Sequence, residues 1–136
     1  MAEIAQMATV FVPVGDQERA LEFYVDTLGF EKRSDFNYDT GERWVEVVPG
    51  GSATSVSLVA ARDGEPAGIE TRITFTTPDI DAYYAELRDR GVEVDAEIMR
   101  EGHPVVYWGG APLAGMPPMF RLRDPDGNSF LIVQQI

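Results

Sequence analysis

Hydrophobic and polar residues alternate along residues 9–14, where β-branched side chains are frequent, and this pattern predicts a β-strand. A helical pattern follows. Asp16 is a suitable N-cap, because its carboxylate can accept hydrogen bonds from the free backbone N–H groups of a first helical turn. The next apolar residues have i, i+3, i+4, i+7 spacing and are Leu21, Tyr24, Val25 and Leu28. Gly29 is suited to end the helix, so this segment is predicted to be a strand followed by a capped helix.

The same pattern returns in the second half of the chain. Residues 72–77 form another alternating, β-branched segment, Asp79 is a second N-cap and Gly91 a second stop. The apolar helix positions between them are Ile80, Tyr83, Tyr84 and Leu87. Asp79 lies 63 residues after Asp16, which indicates an internal repeat.

Short alternating segments separated by turn residues follow each helix and predict three further strands in each half. They are residues 30–36, 43–48 and 54–59 in the first half, and 92–94, 119–123 and 129–133 in the second. Each half therefore has the order β-α-β-β-β. One such unit leaves a sheet face uncovered, so two must pack or pair to complete a core. We predict a single domain, residues 1–136, made of modules at about residues 8–59 and 70–134 with a connector at 60–69.

Charge and composition exclude several kinds of site. The 136 residues include 11 Lys and Arg against 23 Asp and Glu, a net charge of −12, which argues against a nucleic-acid partner or an anionic membrane surface. The chain has no Cys and one His, so thiol nucleophiles, zinc–thiolate sites and sites built from several histidines are excluded. We find no signal-peptide pattern and no apolar stretch of about 20 residues, so we expect a cytoplasmic protein.

Several short motifs resemble a known family. Residues 14–16, 20–24 and 28–30 (VGD, ALEFY and LGF) resemble the opening signature of the vicinal oxygen chelate superfamily. Residues 90–94 and 124–128 (RGVEV and DPDGN) resemble the signatures of its second module. This superfamily includes glyoxalase I, extradiol dioxygenases, and the bleomycin and fosfomycin resistance proteins. The resemblance spans nearly the whole chain, and it indicates fold rather than function because the motifs are caps, turns and core positions.

The resemblance implies an α+β fold, in which two βαβββ modules form a curved mixed β-sheet with a concave cleft and helices on the convex face. It also implies a homodimer and, for the enzymes, a divalent metal held in the cleft by His, Glu or Gln side chains. The matching positions in this chain are Thr9, Ser57, Arg72 and Leu131. Neutral hydroxyls, a guanidinium and an aliphatic side chain are poor metal ligands, so we expect no cofactor unless the metal ligands are displaced to other positions.

Strand alternation assigns further residues to the cleft. If Thr9, the first of the metal positions, faces the cleft, then Phe11 two residues later faces it too. The residues of the second module that are assigned to the cleft are Arg72, Thr74 and Leu131. A buried arginine needs an anionic partner. Two partners stay open: an acid of the chain such as Glu46, and an anionic group of a ligand.

Residues 102–118 include four Gly and four Pro, which is typical of a long loop over a binding site. Tyr107 and Trp108 in this loop, and Trp44 in the first module, either stack on a ligand or fill core and subunit contacts. His103 is the one imidazole, and because it has no evident partner, a surface position is favoured over a catalytic one. The acids that would act as bases only if desolvated are Glu46, Glu70 and Glu101.

Three functions are compatible with these residues and with the resemblance. The first, which we favour, is a metal-free protein that binds a small molecule in the cleft of a homodimer. The second is an enzyme of the glyoxalase or extradiol dioxygenase type: a lyase, isomerase or dioxygenase with a displaced metal site, or a metal-free acid–base catalyst. The third is a non-catalytic regulatory or structural homodimer. The sequence leaves open whether the protein is an enzyme.

Overall fold

The computed structural model describes residues 2–100 and 117–136. Within them the chain forms eight strands, two α-helices and one π-helical turn. The first half contains β1 (Thr9–Val14), α1 (Gln17–Glu22), the π-helical turn (Phe23–Thr27), β2 (Glu31–Asn37), β3 (Arg43–Val48) and β4 (Ser55–Ala60). The second half contains β5 (Glu70–Thr77), α2 (Ile80–Asp89), β6 (Glu93–Val94), β7 (Met119–Arg123) and β8 (Ser129–Gln134). None of the helices in these residues has the length and apolar character needed to cross a membrane.

The described residues form two compact units, each with its own four-stranded mixed sheet. The first unit runs to Ile69 and includes Pro125–Asn128, and its strand order is β1-β4-β3-β2. The second unit contains the other residues from Glu70 onward, with the order β5-β8-β7-β6. In each sheet the first two strands of this order are parallel and the remaining neighbours antiparallel. The predicted α+β class with two βαβββ modules is confirmed.

Aspartate caps both helices, as the sequence predicts. The carboxylate of Asp16 accepts hydrogen bonds from the N–H groups of Glu18 and Arg19 at 2.9 and 3.1 Å. The carboxylate of Asp79 accepts one from the N–H of Ala82 at 3.1 Å. These bonds satisfy backbone donors that a first helical turn leaves unpaired, and the negative charge is favourable at a helix N-terminus.

The end of the first helix differs from the prediction. The spacing of apolar residues predicts one α-helix up to Gly29, but the chain widens into the π-helical turn after Glu22. There the N–H of Leu28 donates to the carbonyl of Phe23 at 2.9 Å, which is a bond across five residues rather than four. Tyr24 lies inside this wide turn and is fully buried.

One face of each sheet is buried and supplies the core of its unit. The buried apolar strand residues of this face include Val12, Val14, Val45, Val47 and Leu58 in the first unit and Phe120, Leu122, Phe130 and Ile132 in the second. The helices contribute buried Ala20 and Leu21 in the first unit, and Ile80 and Leu87 in the second. Each fully buried aliphatic or aromatic side chain stabilises the fold by about 1.5–3 kcal/mol through removal of apolar area from water.

The turn at residues 124–128, between β7 and β8, contributes a buried asparagine to the first unit. The side-chain carbonyl of Asn128 accepts hydrogen bonds from the N–H groups of Gly68 and Ile69 at 3.0 and 2.9 Å. Its amide nitrogen donates to the carbonyl of Pro13 at 2.9 Å. A motif that the sequence identifies only as a turn therefore satisfies three backbone groups of distant segments.

Arg43, at the start of β3, joins three elements of the first unit. Its guanidinium donates to both carboxylate oxygens of Asp35 on β2 at 2.8 Å each and to the carboxylate of Glu18 on α1 at 2.7 Å. The hydrogen bonds from Arg43 are the largest cause of a pKa of Asp35 below its usual range, and they outweigh the opposite effect of burial.

We expect acid to weaken the fold partly through Asp35. Because the pKa of Asp35 is lower in the folded chain than in the unfolded chain, its ionised form stabilises the fold above about pH 4, and this contribution is lost as the pH falls through the folded-state value. Urea unfolding over a pH series should show that the free energy of unfolding falls less steeply below about pH 4 in Arg43→Leu than in the wild type.

A matched control is Arg33→Leu. This substitution removes the same charge from the neighbouring strand, where Arg33 donates only to the carbonyl of Ala53, and it leaves the partner of Asp35 in place. Arg33→Leu should keep the wild-type pH dependence. Equal slopes for Arg43→Leu and the wild type would contradict the prediction.

Candidate functional site

The first sheet has a second face, opposite its buried valines, which we call the open face. It carries Thr9, Phe11, Trp44, Glu46, Ser55 and Ser57. The strand register brings these residues together, because Thr9 is paired with Ser55, Phe11 with Ser57, and Ser57 with Glu46. Paired residues of neighbouring strands point to the same side of a sheet, as do residues two apart on one strand. The structure therefore places Phe11, Trp44 and Glu46, three of the sequence candidates, on one surface.

A chain of hydrogen bonds crosses the open face. It joins Ser57 Oγ to Thr9 Oγ1 at 2.7 Å, Thr9 Oγ1 to Ser55 Oγ at 2.8 Å, and Ser55 Oγ to Glu46 Oε2 at 2.8 Å. The indole Nε1 of Trp44 donates to the other carboxylate oxygen, Glu46 Oε1, at 2.6 Å. Ser55 and Ser57 are fully buried, whereas Thr9, Trp44 and Glu46 are half-buried. Both oxygens of the Glu46 carboxylate are thus held by protein donors.

Aromatic rings border this polar centre. The rings of Phe11 and Trp44 meet edge to face, with centroids 5.7 Å apart, and Phe36 of β2 is paired in register with Trp44. The rings of Phe36 and Tyr38 meet at 5.1 Å. Phe11, Phe36 and Tyr38 are 61, 47 and 48 % exposed, so three large rings on one small surface remain open to solvent. A contiguous exposed apolar patch of this kind is typical of a binding surface.

Two of these aromatic residues are absent from the sequence candidates. Phe36 was assigned to the end of a predicted strand, and Tyr38 lies beyond it, where a turn was expected. In the structure the N–H of Tyr38 donates to the carbonyl of Glu42 at 2.8 Å, which continues the hairpin past β2. The available signal was the alternation itself, since Phe36 and Tyr38 are two residues apart and so share one side of an extended segment.

The four positions that match the metal ligands of the vicinal oxygen chelate superfamily do not fit a divalent cation. In the first unit, the hydroxyls of Thr9 and Ser57 are bonded to each other, and neutral hydroxyls are weak ligands. In the second unit, Leu131 is a buried apolar side chain and Arg72 carries a permanent positive charge. Across residues 2–100 and 117–136, no group of three or more His, Cys, Asp or Glu side chains is placed to hold a metal ion.

Arg72 lies on an irregular part of β5. The pairing of β5 with β8 shifts register around it, and its φ of +62° is the one positive value at a non-glycine residue in the described part of the chain. The hydroxyl of Thr71 supports this geometry, because it donates to the carbonyl of Ser129 at 2.7 Å and accepts from the N–H of Ile73 at 3.1 Å. The side chain of Arg72 is exposed. The expectation of a buried guanidinium is therefore wrong for the single chain, because the irregular strand leaves this residue in solvent.

The remaining candidates are dispersed. Thr74 is exposed on β5 and is paired in register with the buried Leu131 of β8. Glu70 is exposed at the start of β5, which removes the desolvation that a base at this position would require. The candidates that lie outside the described residues are Glu101, His103, Tyr107 and Trp108.

A protein-family model described as the Glyoxalase/Bleomycin resistance protein/Dioxygenase superfamily matches residues 6–132. The chain belongs to this superfamily. The match includes both βαβββ modules, and it agrees with the resemblance that the helix caps and the turn motif carry.

Three individual proteins are similar to this chain along nearly its whole length. A crystal structure of a member from Sphaerobacter thermophilus DSM 20745 is 37 % identical, has a TM-score of 0.81, and covers 97 % of this chain and 98 % of its own. TnmS3, described as an antibiotic binding protein from Streptomyces sp. CB03234, is 33 % identical with a TM-score of 0.78, and the match covers all of both chains. Among curated proteins, the uncharacterized protein YetH of Bacillus subtilis (strain 168) is 29 % identical over 131 residues, which are 95 % of this chain and 98 % of YetH.

Proposed function

We propose that this protein is a metal-free, small-molecule-binding member of the superfamily, and that its ligand is a planar aromatic molecule held on the open face. The observation that carries the proposal is the group of rings at this surface, where Phe11, Phe36 and Tyr38 are exposed around the half-buried Trp44. A flat aromatic ligand would cover these rings and gain both area burial and ring-to-ring contact, which is worth about 0.5–1.5 kcal/mol for each aromatic pair.

Two further observations support the proposal, one for the absence of a metal and one for a small-molecule ligand. The superfamily's metal positions carry Thr9, Ser57, Arg72 and Leu131, whose side chains are poor ligands for a divalent cation. TnmS3, which is similar over its full length, is described as an antibiotic binding protein. We favour this function over a metal-dependent lyase, isomerase or dioxygenase, which would need ligands at other positions.

We further propose that the protein acts as a homodimer in the cytoplasm. Besides the aromatic residues of the open face, Ile4 and Met7 of the N-terminal segment are largely exposed. Exposed apolar side chains of this kind are typical of surfaces that pair with another chain. Light scattering after size-exclusion chromatography should give twice the 15.0 kDa mass of one chain, and a monomer mass would contradict the dimer.

Equilibrium dialysis with 2-naphthol and its saturated counterpart decahydro-2-naphthol tests aromatic recognition, because the two probes share a hydroxyl group and differ in the flat π surface. We expect 2-naphthol to bind about tenfold more tightly, with the same affinity in the presence and absence of a chelator. Absence of binding, or equal affinity for the two probes, would overturn the proposal. A requirement for added nickel, zinc, manganese or iron would overturn its metal-free part and favour the enzyme alternative.

A further inference from the structure

The carboxylate of Glu46 is a negative charge without a positive partner in the described part of the chain. Its two oxygens accept hydrogen bonds from Trp44 Nε1 and Ser55 Oγ, both of which are neutral donors. No lysine or arginine within residues 2–100 and 117–136 forms an ion pair with it. A carboxylate offers about four lone-pair sites, so the two protein donors leave acceptor capacity at Glu46.

The hydrogen atoms of the hydroxyl chain can be assigned by counting. Ser55 has one hydroxyl hydrogen and two neighbours at 2.8 Å, Glu46 Oε2 and Thr9 Oγ1. Donation to an ionised acceptor is about twice as strong as donation to a neutral one, so the hydrogen of Ser55 points at Glu46. The one hydroxyl hydrogen of Thr9 then goes to an oxygen of Ser55, either Oγ at 2.8 Å or the backbone carbonyl at 3.1 Å, and Ser57 donates to Thr9 Oγ1 at 2.7 Å. In either arrangement the hydroxyl hydrogens of Ser55, Thr9 and Ser57 are all used inside the protein.

This use of the hydroxyl hydrogens limits which hydrogen-bonding groups of the open face are available to a ligand. The hydroxyl hydrogens of Ser57, Thr9 and Ser55 are already used inside the protein, and so is the indole N–H of Trp44. Ser55 and Ser57 are fully buried, so a ligand reaches only the half-buried groups, of which Glu46 is the charged one. Within this hydrogen-bond chain the accessible polar atoms are therefore acceptors, so a ligand group that lies against Glu46 bonds to it only by donating, whereas the hydroxyls of Ser34 and Tyr38 are separate groups on the same side of the sheet.

We propose that the ligand donates a hydrogen bond to Glu46, and that the open face therefore selects planar aromatic molecules that carry a hydroxyl or amino group over their O-methylated or unsubstituted counterparts. This inference rests on the proposed function, since it specifies the chemical class of the aromatic ligand. A ligand hydroxyl that donates to an ionised carboxylate gains more than one that donates to a neutral acceptor, and methylation removes the donor while retaining the aromatic surface.

The test compares 2-naphthol with 2-methoxynaphthalene by equilibrium dialysis on the wild-type protein. We expect 2-naphthol to bind about tenfold more tightly, because a hydrogen bond to a charged group is lost in the ether. Equal affinities of the two probes would overturn the inference while leaving aromatic binding intact. Failure to bind either probe would overturn the proposed function itself.

The variant Glu46→Gln tests the role assigned to the carboxylate. The carbonyl oxygen of a glutamine can still accept from Trp44, but its amide group donates to Ser55 and presents a donor to the ligand where the carboxylate presents an acceptor. The preference for 2-naphthol should fall from about tenfold to about twofold or less. A preference retained in Glu46→Gln would overturn the inference.

Glu22→Gln is the matched control. Glu22 is exposed at the end of α1 and lies outside the first sheet, so the substitution removes the same charge away from the open face. This variant should keep the wild-type ratio of affinities, and the ratio is independent of the fraction of protein that is folded. A loss of the preference in Glu22→Gln as large as in Glu46→Gln would attribute the loss to net charge and overturn the inference. If Glu46→Gln fails to fold, the comparison of the two probes on the wild type still decides the outcome.

Discussion

Gly68→Ala is expected to lower the free energy of unfolding by about 3 kcal/mol or more. Gly68 has a φ of +90°, which alanine adopts only with strain. A Cβ atom at this position would also lie 2.5 Å from the backbone carbonyl oxygen of Asp126, and a backbone atom cannot rotate away as the end of a side chain can. Moving residue 68 to relieve the contact would break its N–H hydrogen bond to the buried Asn128.

Gly64→Ala separates the two causes. Gly64 has a similar φ of +79°, but no atom lies within 4 Å of the position of its Cβ, so only the backbone penalty of about 1 kcal/mol applies. Urea unfolding of both variants at neutral pH measures the difference. If Gly68→Ala is no less stable than Gly64→Ala, the contact with Asp126 has no energetic weight and the prediction fails.

The caps and strands of this fold are predictable because local chemistry decides them. Asp16 and Asp79 bond to N–H groups that lie two or three residues along the chain, so the cap is visible in a short sequence window. The alternation in β1 depends only on one face of a sheet being buried. For the same reason, the repeat of strand and capped helix is sufficient to predict the order of elements in both modules.

Partners that are distant in sequence are not predictable in this way. The turn at residues 124–128 is evident from its Pro and Gly, but the bonds from Asn128 to Pro13 and Gly68 span 115 and 60 residues and depend on packing. The φ of +62° at Arg72 likewise comes from a register shift between two strands, which no local pattern indicates.

In the candidate site, too, features that depend on one strand are predictable from the sequence, whereas contacts between strands are not. Alternation was sufficient to place Phe11 on the open face, since it depends on β1 alone. The hydroxyl chain that ends at Glu46 required the registers of three strands, because Thr9, Ser55 and Glu46 belong to β1, β4 and β3. Residue types alone gave Glu46 two roles, as an ion-pair partner and as a base, whereas its hydrogen-bond partners in the structure are the neutral donors Trp44 and Ser55, from which we propose that it accepts from a ligand.

The double variant Phe11→Leu/Phe36→Leu is expected to weaken 2-naphthol binding about tenfold, because each ring contributes roughly 0.7 kcal/mol of ring-to-ring contact. Leucine keeps these positions apolar but removes the flat π surface. Both phenylalanines are exposed, so the free energy of unfolding should change by less than about 0.5 kcal/mol for each substitution. The affinity for decahydro-2-naphthol, which has no π surface, should stay within about twofold of the wild type.

Phe23→Leu controls for the loss of an aromatic ring elsewhere. Phe23 lies in the π-helical turn, where its ring meets that of Tyr24 at 5.3 Å, and not on the open face. Equilibrium dialysis should therefore give wild-type affinity for 2-naphthol in this variant. If the double variant also binds 2-naphthol with wild-type affinity, the aromatic ligand is held elsewhere on the protein. Because Trp44 and Glu46 are unchanged in the double variant, a selective loss of 2-naphthol affinity would assign aromatic recognition to the exposed rings, separately from the hydrogen bond to the carboxylate.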